Sequence, residues 1–506
     1  MEIKGHRRPF HELDVDVLTM VVFEEETPEN TPIMGELNER TNGIVGSLIA
    51  SSELRGKPDE ITYIHQPVAM RPRRVLLVGG GKKEQSTSEG VRRAAGTAAR
   101  YLKERGLKSM GFFCRSEWAL EPSARAAVEG VLLGLFDVGT YKTQEKDERF
   151  LEEIVIAAEG SLDALERALH RGQILAKATN FARNLVNEPS SILTPAELAS
   201  RAGEMASRFN LDIEILDEQQ MRELGMGALL AVARGSDEPA KLIILRYVPE
   251  EPRADQRSPV AFVGKGITFD SGGISLKPPK GMEQMKYDMA GGAAVLGAMR
   301  AIGQLRPPVP VMGIVPAAEN MPSGRAQKPG DVVRSLSGKT IEVINTDAEG
   351  RLILADALTY ACQLGARRVV DLATLTGACV VALGSVYAAV LGNDEPFLAE
   401  VIRASEAAGE RLWRLPLDDA YRDQLRSEIA DLKNIGGRKA GTITAASFLS
   451  EFVQGIPWAH IDIAGTAWLE EKKPYLATGP TGIGVRTLVH LAEQLGQHHP
   501  SPTEEG

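Results

Sequence analysis

The sequence predicts an α/β protein: a smaller N-terminal α/β domain, then a larger one built on a central, mostly parallel sheet flanked by helices. Three observations carry this. The 506 residues exceed what a single hydrophobic core accommodates. From about residue 212 onward, short apolar runs rich in Val and Ile alternate with segments of helical periodicity, the pattern of parallel strands joined by crossover helices. With 43% hydrophobic and 25% charged residues, and 50 Gly and 28 Pro dispersed as turn signals, the chain has the composition of an ordinary globular protein.

Val15–Phe23 and Arg74–Val78 are strand-like, and the GGGKK turn at Gly79–Lys83 leads into a helical stretch at Gly90–Arg105. Leu162, Leu165, Leu169, Ile174 and Leu175 recur at helical spacing, which predicts a helix over 161–185 that links the domains. The resulting division is an N-terminal domain at 1–165, a linker helix at 166–185, a C-terminal domain at 186–496 and a polar tail at 497–506 expected to be disordered. In the larger domain Asp212–Leu216, Lys241–Tyr247, Val260–Gly264, Val309–Val315, Arg368–Leu372 and Trp458–Ile463 read as strands, with helices such as Gly292–Leu305 and Leu352–Leu364 between them. Functional groups are expected in loops at the carboxyl ends of those strands.

The formal charge of -10 gives no electrostatic footprint for a phosphate backbone, although Arg71, Arg73 and Arg74 form a local basic patch. His11, Glu12, Asp14 and Asp16 interrupt the N-terminal region, so no signal-peptide core is expected, and no run reaches the roughly 18 apolar residues of a membrane helix. Cys114, Cys362 and Cys379 without a CxxC imply buried thiols and a cytoplasmic protein. Gly338, Lys339 and Thr340 imitate the end of a phosphate-binding loop, but Val333 occupies the position of the earlier glycine, so a turn between strands is expected there. There is no GxSxG, and GGGKK lacks dinucleotide-fingerprint spacing. The eight histidines, His498 and His499 among them, are scattered without ligand spacing; His460 reads as a hydrogen-bonded core residue, and Asp462 alternates with it.

Three segments concentrate charge around glycines. VGKGITFDSGGISLKP (Val263–Pro278) leaves a strand and carries Lys265, Asp270 and Lys277; MKYDMAGGAAV (Met285–Val295) adds Asp288 before a helix. NTDAEGRLILADAL (Asn345–Leu358) offers Asp347, Glu349 and Arg351 at spacing two, which would point all three the same way if the stretch were extended. Each alone is more often a turn, a cap or a surface ion pair than a site. Together they are hard to explain as solvated faces. Four carboxylates brought together repel unless cations neutralise them, and two divalent metals balance the charge. Oxygen ligands suit manganese, magnesium or zinc, a neutral lysine amine can complete one shell, and the remaining lysine and arginine can hold an oxyanion or a bound anion.

These residues closely resemble the leucyl aminopeptidase (cytosol aminopeptidase) family of dinuclear metallopeptidases, whose NTDAEGRL signature stands intact at Asn345–Leu352. The likeness extends through ARNLVNEPSSILTP (Ala182–Pro195), MPSGRAQKPGDV (Met321–Val332), LATLTGA (Leu372–Ala378), KNIGGRKAGTITAASFL (Lys433–Leu449) and WAHIDIAG (Trp458–Gly465); the first 160 or so residues are similar only in general pattern. The resemblance implies a macro-like N-terminal domain and a zinc-peptidase-like catalytic domain that removes residues, leucine among them, from the free N-terminus of peptides by attack of metal-activated water. It implies two divalent ions, Mn2+ or Zn2+, shared by Asp270 and Glu349, with Lys265 and Asp288 completing one site and Asp347 the other. It assigns Lys277 to the oxyanion and Arg351 to a bicarbonate acting as general base, and a first-residue pocket to Met285, Thr374, Gly377, Ala464 and, by position alone, Ala467. A homohexamer is implied, with no membrane or nucleic-acid partner. The competing expectation is a DNA-binding or regulatory scaffold with secondary peptidase activity.

Overall fold

The computed structural model describes residues 1–250 and 258–497; the tail expected to be disordered lies outside these residues save for Gln497. It divides into two compact units, Met1–Lys177 with Glu470–Thr478, and Ala178–Leu469 with the chain from Gly479 onward. The division falls inside the helix Leu162–Asn187, which is longer at its C-terminal end than the spacing predicts. Among the described residues no helix is long and apolar enough to cross a membrane.

The first unit holds a six-stranded sheet: β1 (Glu2–His6), β2 (Val17–Val22), β3 (Ile61–His65), β4 (Arg74–Gly79), β5 (Ser109–Cys114) and β6 (Glu153–Ala158), in the order β1-β6-β5-β2-β4-β3. All pairings are parallel except that of β3 with β4 at the edge. Alternate residues of β2 and β4 enter opposite cores. Val17, Val21, Leu76 and Val78 pack with the helices Ser88–Glu104 and Leu120–Gly134, while Leu18, Met20, Val75 and Leu77 pack with Met34, Leu37 and Val45. That period of two is why a wholly apolar run such as VLTMVV forms a strand covered on both faces.

The second unit is built on β7 (Asp212–Leu216), β8 (Lys241–Tyr247), β9 (Val260–Gly264), β10 (Gly266–Asp270), β11 (Val311–Asn320), β14 (Arg368–Ala373), β15 (Ala388–Gly392), β16 (Leu412–Arg414) and β18 (Trp458–Asp462), where β12 (Val332–Arg334), β13 (Thr340–Glu342) and β17 (Leu432–Lys433) make a small separate sheet. The main order is β16-β15-β18-β14-β9-β11-β8-β7, with β10 also paired to β11. Its centre, β18-β14-β9-β11, is parallel; β8, β7 and the β15–β18 pairing are antiparallel. β9 and β10 run in one register along β11, interrupted at Lys265, with a bulge between Ile267 and Phe269. The helix Ala290–Leu305 packs on β9, β11 and β14, and Gly350–Gln363 lies among the apolar side chains of Ala261, Val263, Val369 and Ala373. Gly291 allows the first helix to press close, since a Cβ there would lie 2.1 Å from the Leu372 carbonyl oxygen. The Gly338–Lys339–Thr340 sequence forms the turn into β13, as expected between strands.

Candidate metal centre

The charged residues assigned to the candidate site, Lys265, Asp270, Lys277, Asp288, Asp347, Glu349 and Arg351, all lie in the second unit at the carboxyl edge of its parallel strands. Lys265 occupies the break between β9 and β10, Asp270 ends β10, and Lys277 follows in a loop folded back by a bond from its amide to the Ser271 carbonyl, 2.9 Å. Asp288 sits in the 3-10 turn Met282–Met289. Glu349, Arg351 and Asp347 arrive differently from the extended geometry considered above. Asp347 belongs to a turn whose amide bonds the Asn345 side chain at 2.9 Å, whereas Glu349 is already helical and caps Gly350–Gln363, with Arg351 in its first turn. The spacing of two is therefore not a strand period; a turn running straight into a helix N-terminus brings the three side chains together.

Lys265 Nζ lies 2.8 Å from Asp288 Oδ2 and 2.8 Å from Glu349 Oε1, and donates to the Thr374 carbonyl at 3.1 Å. Lys277 Nζ lies 2.7 Å from Asp270 Oδ2 and 2.6 Å from Asp347 Oδ1. One oxygen each from Asp270, Asp347 and Glu349 falls within 4.8 Å of the others, a spacing that could hold a metal ion. Lys265, Asp270, Asp288 and Glu349 are all buried. Although the lysines are close, Asp288 Oδ2 and Asp347 Oδ1 are buried without a hydrogen bond of proper geometry. Two buried carboxylate oxygens with unused lone pairs, set among carboxylates gathered from three segments, are what a hard divalent cation requires, and the donor set fits that group.

The electrostatics follow from crowding. Burial, then the neighbouring Asp270, raises the Glu349 carboxyl to about 8; burial also raises Asp288 to about 6 against the pull of Lys265. Asp347 is raised, again chiefly by burial. For Lys265 burial alone would lower the pKa, but Asp288, Glu349 and Asp270 outweigh it and raise it; Lys277 is raised in the same way, led by Asp270. Arg351 is lowered to about 10 by burial. Its Nη1 donates to the Asn434 carbonyl at 2.7 Å while its buried Nε has no partner.

Two buried asparagines had not been singled out in the sequence. Asn320, ending β11, donates from Nδ2 to Asp270 Oδ1 at 2.8 Å, to the Thr346 carbonyl at 3.0 Å and to Glu349 Oε2 at 3.5 Å. Asn434 accepts from the Ile344 amide at 2.8 Å and donates to the Asn345 carbonyl at 2.7 Å, so it clamps the turn that carries Asp347. The available signal was an amide residue closing an apolar strand in AEN, and one just beyond a strand in KNIGG. Of the expected pocket residues, Thr374 follows β14 and bonds Asp288 Oδ1 at 2.6 Å, Met285 is half-buried in the 3-10 turn, Gly377 is exposed at a helix start, Ala464 is half-buried after β18, and Ala467 is buried. His460 is fully buried, with Nδ1 2.6 Å from Asp371 Oδ1.

Residues 180–489 match the cytosol aminopeptidase family, catalytic domain, and residues 20–145 match the cytosol aminopeptidase family, N-terminal domain. A probable cytosol aminopeptidase of Solibacter usitatus (strain Ellin6076) is 50% identical over 97% of this chain and 99% of its own length; one of Koribacter versatilis (strain Ellin345) is 46% identical over 96% and 98%. A tomato leucine aminopeptidase mutant superposes with a TM-score of 0.89 at 35% identity, covering 98% of this chain and 96% of that one. The bottromycin maturation enzyme BotP in complex with Mn gives 0.84 at 36% identity, covering 96% and 100%. With both domains matched and the likeness running through the whole length, the chain belongs to the cytosol aminopeptidase family.

Proposed function

We propose that this chain is a metal-dependent aminopeptidase that releases N-terminal amino acids, leucine and others, from peptides. The observation that carries this reading is the gathering of the buried Asp270, Asp288 and Glu349 and the half-buried Asp347 with two lysines, in a chain of the cytosol aminopeptidase family. Asp270 and Glu349 would be shared between two divalent ions, Mn2+ or Zn2+, with Lys265 and Asp288 on one and Asp347 on the other. Such ions supply Lewis-acid polarisation of the scissile carbonyl and a water that is nucleophilic at neutral pH. Lys265 would join the shell of its ion as a neutral amine, the form that a neighbouring dication would favour. Lys277, held positive by its carboxylate neighbours, donates to the developing oxyanion. Arg351, with one buried N–H uncommitted, would hold a bicarbonate, which would supply a general base.

A free N-terminal amine, in its neutral form, would complete the shell of one of the cations, whereas a blocked one would not, which directs the site to exopeptidase chemistry. Met285, Thr374, Gly377, Ala464 and, by position alone, Ala467 would receive the first side chain. The three buried thiols are in keeping with a cytoplasmic setting, and a homohexamer is the assembly expected from the family resemblance. The acidic balance gives the DNA-binding alternative no support.

The test is hydrolysis of leucyl-p-nitroanilide and its N-acetylated form by chelator-stripped enzyme, before and after adding Mn2+ or Zn2+. Restored activity on the free amine alone is expected. No activity with several first residues and both metals overturns the reading.

A further inference from the structure

Behind the carboxylate cluster, several hydrogen bonds converge on a side chain that the chemistry above does not use. Asp462, the last residue of β18, is fully buried. Its Oδ1 accepts from the Leu375 amide at 3.2 Å and the Ala464 amide at 3.1 Å, and its Oδ2 accepts from the Thr376 hydroxyl at 2.6 Å. One carboxylate therefore ties the turn leaving β14 to the turn leaving β18. With its proton committed to Asp462, the Thr376 hydroxyl accepts from the Cys379 amide at 3.1 Å, and from the Thr442 hydroxyl at 2.8 Å.

Leu375 and Thr376 directly follow Thr374, which faces the cluster. The Thr374 hydroxyl donates to Asp288 Oδ1 at 2.6 Å, and its carbonyl accepts from Lys265 Nζ at 3.1 Å. Asp270 is held by other groups, the Asn320 amide and Lys277, and Asp347 by Lys277 and its own turn. Beyond the ends of parallel strands the ladder bonds stop, so a turn that must present both a hydroxyl and a carbonyl at fixed positions needs another tie. A buried carboxylate receiving three donors provides a strong one.

We propose that Asp462 is a positioning residue for one half of the metal centre: by pinning Leu375 and Thr376 it fixes Thr374, which aims Asp288 and Lys265. The inference rests on the two-cation reading above. Groups of this kind behind a ligand change metal affinity about 10–100-fold when removed.

The test is calorimetric titration of the chelator-stripped full-length chain with Mn2+, for wild type, Asp462→Ala, Thr376→Val and Thr376→Ser, with thermal unfolding of each. Wild type is expected to bind two ions. Asp462→Ala should weaken one of them about tenfold or more and leave the other within about twofold; Thr376→Val should weaken the same ion about threefold or more, and Thr376→Ser should restore it. If Asp462→Ala does not fold, the Thr376 pair decides. A purely structural carboxylate would lower the folding midpoint and leave both affinities of the folded chain unchanged, or shift them equally, and either result overturns the proposal. A wild type that binds fewer than two ions overturns the two-cation reading and the proposal with it, whereas two normal ions in all variants overturn the proposal alone.

Discussion

Gly350 separates stability from activity in a way a single substitution can test. It is the first residue of the helix Gly350–Gln363, directly after Glu349, and a Cβ at this position would lie 2.7 Å from Lys265 Nζ and 2.6 Å from its Cε. Ordinary contact begins near 3.4 Å, so in Gly350→Ala the amine must retreat by about 0.7 Å, the difference between 2.7 Å and 3.4 Å. That retreat takes Nζ off its 2.8 Å positions against both Asp288 and Glu349. A displacement approaching 1 Å in a reacting constellation costs up to about a hundredfold, so kcat/KM should fall roughly 10–100-fold, about 1.4–2.7 kcal/mol. Stability should move the other way or not at all. Alanine is favoured over glycine in helices by up to about 1 kcal/mol, and what it meets is the end of a flexible side chain. The assays are leucyl-p-nitroanilide hydrolysis at saturating Mn2+ and the thermal midpoint. Activity within about twofold of wild type would refute the argument, and so would a midpoint lowered by more than about 5 °C, which would mean that the helix rather than the amine had moved.

Asn320→Leu removes the amide that bonds Asp270, Glu349 and the Thr346 carbonyl; Mn2+ affinity should fall about 10–100-fold, and unchanged titration curves would show that the amide is not part of the support. Mn2+ binding should tighten as pH rises from 6 to 8. In the stripped chain Glu349 titrates near 8 and Lys265 above its usual value, so both carry protons at neutral pH that a cation must displace; calorimetry in buffers of different ionisation enthalpy should detect release of about one to two protons, and a pH-independent affinity would contradict this. Lys277→Met and Arg351→Met should each lower kcat about 100–1,000-fold with KM for leucyl-p-nitroanilide within about threefold; a raised KM with kcat intact would reassign the residue to ground-state binding.

How far the sequence discloses this site depends on what kind of interaction sets each part. The parallel strands were legible because a run such as VAFVG, buried on both faces, can satisfy its backbone only within a sheet, and Asp270 was legible because it stands with Lys265 and Lys277 around glycines beside such strands, a cluster that is hard to explain as a solvated face. The helix starts at Ala290 and Gly350 were placed two residues late, since Ala290 and Gly291 in the one and Gly350 and Arg351 in the other add no apolar periodicity, and both glycines fit their neighbours by close approach. Asn320 and Asn434 carry only the weak local signal of an amide at or just past a strand end, and Asp462 only its alternation with His460. Their partners are distant in sequence, as in the bond from Asn434 to the Asn345 carbonyl, and a polar residue reveals its role only when burial leaves it no water to bond. Asp347, Glu349 and Arg351 illustrate the same limit. Their identity and order could be read directly, but the spacing of two gave a common direction only on the condition that the stretch were extended. The fold instead uses the helix N-terminus, where Glu349 is favourably placed as an anion and Arg351 is held back by the Asn434 carbonyl. That choice has a chemical consequence. It keeps the Arg351 guanidinium bound at one nitrogen and free at another, so a change that releases it from Asn434 would let it swing toward Glu349 and compete with the cations for that carboxylate.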